Sequence, residues 1–132
     1  MVTWQRQYAL GIDKIDSEHR QLVEMISMLE KAEGRHDEAA IARDIVNRIV
    51  VYVGRHFRSE EDAMNSAGYP HLEAHRKSHN DFTRRVYELK ASQNPDAAEV
   101  RKLLMQWLVD HILKADRDYA PYIQKWLASF SK

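Results

Sequence analysis

The stretch HLEAHRKSH, residues 71 to 79, sets three histidines four residues apart. Residues at that interval on an α-helix are rotated by only about 40° and rise by about 6 Å, so His71, His75 and His79 would stand along one side. Imidazoles placed this way can reach one metal ion or two neighbouring ions. HFRSE gives His56 and Glu60 the same spacing, while HILKAD carries His111 and Asp116 five residues apart. On an ideal helix five residues leave two side chains about 140° apart. If both belong to one site, the helix must deform or end between them, a π-bulge being one way to do so. With His19 in IDSEH and no cysteine anywhere, any metal would be held by imidazole and carboxylate rather than thiolate.

The elements that must position these groups are helices. From Ser17 the positions His19, Leu22, Val23, Ile26 and Leu29 follow helical spacing; from about Ala39 to Met64 the stripe is Val46, Ile49, Val50, Val53, His56, Phe57, Glu60 and Met64. After Pro70, Leu72, His75, His79, Phe82, Val86 and Leu89 alternate steps of three and four, and after Pro95 the pattern repeats through Val100, Leu103, Leu104, Trp107, Leu108, His111 and Ile112. No alternation of period two is sustained. Breaks at Gly34, Gly68–Pro70 and Pro95 separate the segments. The expected fold is all-α: an up-down-up-down four-helix bundle with an N-terminal arm and a short C-terminal helix near Tyr119 to Phe130, one domain over residues 1–132.

Charge and hydropathy narrow the partners. Lysine plus arginine and aspartate plus glutamate stand at 20 each, so no net field draws the chain to nucleic acid or an anionic membrane. No run approaches the roughly 20 apolar residues that span a bilayer, which argues against membrane insertion. Together with the lack of cysteine, this suits a cytoplasmic protein, expected to be a monomer.

A single histidine on an apolar stripe is most often a hydrogen-bonded core residue, because buried polar groups need partners. Histidines on all four stripes, joined by Glu60, change that balance and make a metal site the economical explanation. His71, just after Pro70, is expected at the end of the bundle, away from the site, and His36 on the surface. Glu61, Asp110 and Asp118 are offset from the ligand faces, which suits solvated or hydrogen-bonded roles. Tyr8 and Tyr119 are left between a structural role and one beside the site.

Taken in order, His19, HFRSE, HRKSH and HILKAD resemble the hemerythrins, particularly the single-domain bacteriohemerythrins. The likeness runs from Trp4 to about Tyr122, with support from IDSEH, GYP and WLVDHILKADRDYAP. It implies two non-haem irons bridged by an oxo or hydroxo group and by Glu60 and Asp116, with His75, His79 and His111 on one iron and His19 and His56 on the other. Of the twelve positions around two octahedral irons, these groups fill all but one. That position, on the two-histidine iron, would bind dioxygen reversibly, for carriage, storage, delivery or sensing, with no enzymatic turnover. Phe57, Trp107, Leu108 and Ile112 would line a dry pocket there. Sensing would require a separate signalling partner. Alternatives of the same fold are a diiron enzyme handling peroxide or nitric oxide, and an iron sensor or buffer. Ferritin-like oxidases use four carboxylates and two histidines; a shell richer in imidazole carries less negative charge and favours iron(II).

Overall fold

The first three apolar stripes become helices slightly longer than the sequence periodicity suggests, and the fourth is divided between an α-helix and a π-helical segment. The computed structural model describes residues 2–130. In it α1 runs Asp13–Ala32, α2 Glu38–Ser66, α3 Leu72–Ala91 and α4 Ala97–Trp107. A π-helical segment, Leu108–Ala115, then leads without a break into α5, Asp116–Ala128. The C-terminal helix therefore begins three residues earlier than its expected start near Tyr119, because the π segment carries helical backbone straight through Asp116. Phe130 lies beyond the helix and is exposed.

Helix ends follow local chemistry. The α2 terminus is a Schellman motif: Gly68, with φ 72°, sends its N–H to Asn65, and the Tyr69 N–H reaches the Met64 carbonyl. A side chain at Gly68 would strain that left-handed turn, and Met64 and Tyr69 bury the contact that accompanies it. This turn and Pro70 delay α3 until Leu72, so His71 becomes its N-cap and stands exposed rather than in the first turn. Asp96 caps α4 by accepting from the Ala98 N–H at 3.1 Å.

Helix α1 packs on α2 and α4, and α2 on α3 and α4, around a core that includes Leu22, Ile26, Ile45, Ile49, Phe82 and Leu104. Val50 and Leu89, expected in the core, are only partly buried against it. A smaller apolar cluster at the other end joins Leu10, Ile12 and Ile15 to Met64, Tyr69, Tyr119 and Ile123. It fastens the N-terminal arm, where the buried Asp16 carboxylate accepts the Leu10 and Gly11 N–H groups at 2.8 and 3.2 Å. Each inward histidine lies at the seam of the two clusters: His19 falls between Ile15 and Leu22, and Glu60 between Phe57 and Met64.

Candidate metal centre

At that seam the bundle buries seven ionisable side chains. His19, Glu60 and Asp116 have no exposed surface, and His56, His75, His79 and His111 are at most 5% exposed. Isolated charges in such a setting are strongly disfavoured, so the groups must compensate one another or share a cation.

Their polar atoms converge in two overlapping groups. Glu60, His75, His79, His111 and Asp116 each offer one donor atom within 4.8 Å of all the others, and His19, His56 and Glu60 form a second such set. The carboxylates face both groups with different oxygens. Asp116 Oδ1 lies 2.7 Å from His75 Nε2 and 3.1 Å from His111 Nε2, whereas Oδ2 lies 3.2 Å from His19 Nε2. Glu60 Oε1 is against His56 Nε2 and 3.7 Å from His19, while Oε2 is 3.7 Å from His75 and 4.0 Å from His79.

The position of Asp116 depends on the irregular backbone. Its N–H bonds to the His111 carbonyl, a five-residue step in place of the usual four. The wider turn returns the fifth residue to the face of the first, so both His111 and Asp116 point inward. Asp110 and Lys114, in the same segment, face solvent as an ion pair.

Several of the converging atoms lack a hydrogen-bond partner: His19, His56, His79 and His111 Nε2, both Glu60 oxygens and Asp116 Oδ2. Orphaned lone pairs aimed at one another suit a shared cation, and a donor set of imidazoles and carboxylates suits iron. The outward nitrogens supply a second indication. His56 Nδ1 donates to Glu18 at 3.1 Å and His79 Nδ1 to Glu61 at 2.8 Å, which orients each ring with Nε2 turned inward as the nitrogen a metal would take. Aromatic rings fix the same imidazoles. Phe57 stacks on His79 at 3.9 Å and 3°, Trp107 on His111 at 3.8 Å and 10°, and Tyr52 on His56 at 4.9 Å and 18°.

The buried charges act strongly on one another. Burial alone would deprotonate His56, but Glu60 and Glu18 outweigh it and raise the group to about 10. Burial is outweighed likewise at His75, raised to about 9 by Asp116 and Glu60, and at His19, which is also raised. At His79 burial prevails, helped by the charges of His111 and His75, and lowers the group to about 4. Glu60 falls well below the usual range and Asp116 below it, since neighbouring histidines override their burial. Protons on His19, His56 and His75 thus offset the buried carboxylate charge.

The chain matches the family model described as the hemerythrin HHE cation-binding domain across residues 10–123. It belongs to the hemerythrin family. It is 35% identical to a bacteriohemerythrin of Stenotrophomonas maltophilia, over 100% of this chain and 88% of that protein. A bacteriohemerythrin of Clostridium acetobutylicum is also 35% identical, with 90% and 98% covered, and a myohemerythrin of Theromyzon tessulatum is 30% identical, with 88% of each covered. A crystal structure of a hemerythrin mutant superposes with a TM-score of 0.81 at 23% identity, over 93% of this chain and 98% of that one, a likeness of fold.

All seven side chains expected at the hemerythrin site come together. His71 and His36 stay outside on the surface, as do Asp110 and Asp118. Of the two roles expected for Glu61 it takes the hydrogen-bonded one, holding His79 and pairing with Arg76. Of the expected pocket residues, Phe57, Leu108 and Ile112 are buried and Trp107 partly so, all in or against the main core. Phe57 and Trp107 stack on histidines of the three-histidine group. Tyr8 packs edge-on to Trp4 in the arm, 5.6 Å between ring centroids. Tyr119 is fully buried, and burial followed by the charges of Glu60 and Asp116 holds its hydroxyl well above the usual range.

Glu18 and Tyr52 were not legible as parts of the site. Glu18 sits beside His19 on α1 but serves His56 on α2, so spacing along its own helix carries no signal for it. Tyr52 stands four residues before His56, and that interval alone could have suggested it.

Proposed function

We propose that this hemerythrin, a diiron oxygen-binding protein, binds dioxygen reversibly at one end of its metal pair. The observation that carries the reading is the division of five buried histidines into three and two around two carboxylates that face both groups. His75, His79 and His111 would hold one iron, His19 and His56 the other, and Glu60 and Asp116 would bridge them together with an oxo or hydroxo group. A diiron pair held there would supply the two-electron redox chemistry that reversible dioxygen binding needs.

The chain's own residues orient the donors and keep them dry. Glu18 and Glu61 hold the outward nitrogens of His56 and His79, so that their inward lone pairs face the site. Phe57 and Trp107 restrain the rings of His79 and His111, while Leu108 and Ile112 fill the neighbouring interior and exclude water, as a pocket for an apolar diatomic requires. With two histidines rather than three at the His19–His56 end, the open position for the ligand would fall on that side. The protein carries, stores, delivers or senses oxygen rather than turning over a substrate, as a cytoplasmic monomer and a single domain. No helix among the described residues is long and apolar enough to cross a membrane.

Anaerobic reduction followed by admission of air, with visible absorbance and iron content measured together, tests the reading. Two irons per chain and a spectrum that appears with air and fades under vacuum are expected. One iron at saturation, or a change that vacuum cannot reverse, would refute it.

A further inference from the structure

The two carboxylates behind the site are wired differently. Glu18, from α1, holds His56 Nδ1 at 3.1 Å and makes no ion pair with lysine or arginine among the described residues. Glu61, from α2, divides itself: Oε2 accepts His79 Nδ1–H at 2.8 Å, and Oε1 accepts Arg76 Nε–H at 3.1 Å. Arg76 lies one turn before His79 on α3, has a side chain 41% exposed, and also donates to Glu73 at 2.5 Å. The chain from solvent is thus Glu73, Arg76, Glu61 and His79, ending at the three-histidine group.

A carboxylate accepting the Nδ1–H of a ligating histidine fixes its tautomer and makes its inward nitrogen more basic. How strongly it does so depends on the negative charge it has left to give. A guanidinium bonded to the same carboxylate draws on that charge, so Glu61 is a shared acceptor and Glu18 an unshared one. The 2.8 Å contact shows that Glu61 still engages His79 closely, which leaves its charge as the adjustable quantity.

Resting on the metal-site reading above, we infer that Glu18 and Glu61 are separate positioning residues, one for each end of the pair, and that Arg76 tunes the three-histidine end from the surface. Removing Arg76 strengthens the Glu61–His79 bond and the donor power of His79. The His56 end does not respond.

Zinc alone is a suitable probe, because it takes histidine nitrogen ligands and is diamagnetic and redox-silent. In the full chain loaded with zinc, the Nδ1–H protons of His56 and His79 are observed by NMR, and zinc affinity is measured by competition with a chelator. Glu18→Gln should move the His56 signal upfield and leave His79 in place; Glu61→Gln should do the reverse. Each should weaken zinc binding roughly 10- to 100-fold, the usual effect of losing such a partner. Arg76→Gln, on a side chain 41% exposed, should move His79 downfield, opposite to Glu61→Gln, with His56 unchanged and zinc held more tightly. If zinc binds but Arg76→Gln leaves His79 unmoved or shifts it upfield, or if either glutamate variant moves both histidines alike, the inference is overturned. If the unaltered chain takes up no zinc, it is the metal-site reading that fails.

Discussion

Stripping the metals should leave a chain that is destabilised by alkali, while the loaded chain should hold its metals more tightly as pH rises. In the metal-free cluster His56 is raised from 6.5 to about 10, and His75 from 6.5 to about 9. Folding therefore strengthens proton binding at both groups. The stability they contribute is complete below about pH 6.5 and is lost as pH climbs through 9 and 10. At about 1.36 kcal/mol per unit, the His56 shift corresponds to roughly 5 kcal/mol at most, of which about 3 kcal/mol is lost between pH 7.5 and 10. His75 shares Glu60 and Asp116 with His56, so its part overlaps and is not added. His79, lowered to about 4, acts at the other limit: the unfolded chain takes up its proton first, and stability falls as pH drops from about 6.5 towards 4. Against a typical total of about 5–15 kcal/mol, these losses are large. Urea unfolding of the stripped chain, followed by far-ultraviolet circular dichroism, should give a midpoint that drops by about 1–3 M between pH 7.5 and 10, taking a slope of about 1–3 kcal/mol/M. Zinc affinity over the same interval should rise, because metal displaces the same protons. A midpoint that stays flat, together with a pH-independent zinc affinity, would show that the buried histidines are not the paired cations argued for.

Glu60→Ala or Asp116→Ala should take the iron content from two per chain to near none, read by elemental analysis, since each carboxylate faces both histidine groups; retention of the full complement would remove that residue from the site. Leu108→Ala, in a side chain only 2% exposed, should cost about 3–5 kcal/mol and hasten autoxidation of the air-exposed protein by admitting water. An unchanged autoxidation rate beside the expected stability loss would leave Leu108 as core alone. His71→Ala and His36→Ala, both at exposed positions, should alter stability by less than about 0.5 kcal/mol and leave iron content and spectrum as they were.

The legible parts of the molecule are those for which a single helix carries the information. Spacings of three and four decide which face turns inward, so His19, His56, Glu60, His75, His79 and His111 could be assigned to the interior from their own stripes. The exclusion of His71 was also local in origin, though its cause was the end of the preceding helix. The Gly68 turn and Pro70 delay α3, and a residue four before His75 is left outside the first turn. Glu18 was hidden because its meaning lies across a helix pair: His56 Nδ1 needs an acceptor, and only the packing of α1 on α2 says which residue provides it. Tyr52 was hidden by chemistry, since its ring belongs to the core and its place in the site is a stack on one imidazole.

Asp116 shows how a breach of local regularity can be more informative than its observance. A spacing of five is the wrong interval for a regular helix, and on periodicity alone the residue would be assigned to solvent. The resemblance required it inside, and the two demands together required a wider turn between His111 and Asp116. The structure supplies this as a π segment closed by the Asp116 N–H to the His111 carbonyl. Such segments are rare within helices, so something else must favour it. The downstream residues Tyr119, Ala120 and Ile123 are buried in the arm cluster, and they hold α5 in the register that keeps the Asp116 carboxylate between the two histidine groups. The arm itself is fastened through Asp16, and Arg117 and Gln124 of α5 bond the carbonyls of Gln7 and Leu10. The N-terminal arm therefore acts as the outer clamp on the irregular helix that carries the site's second carboxylate.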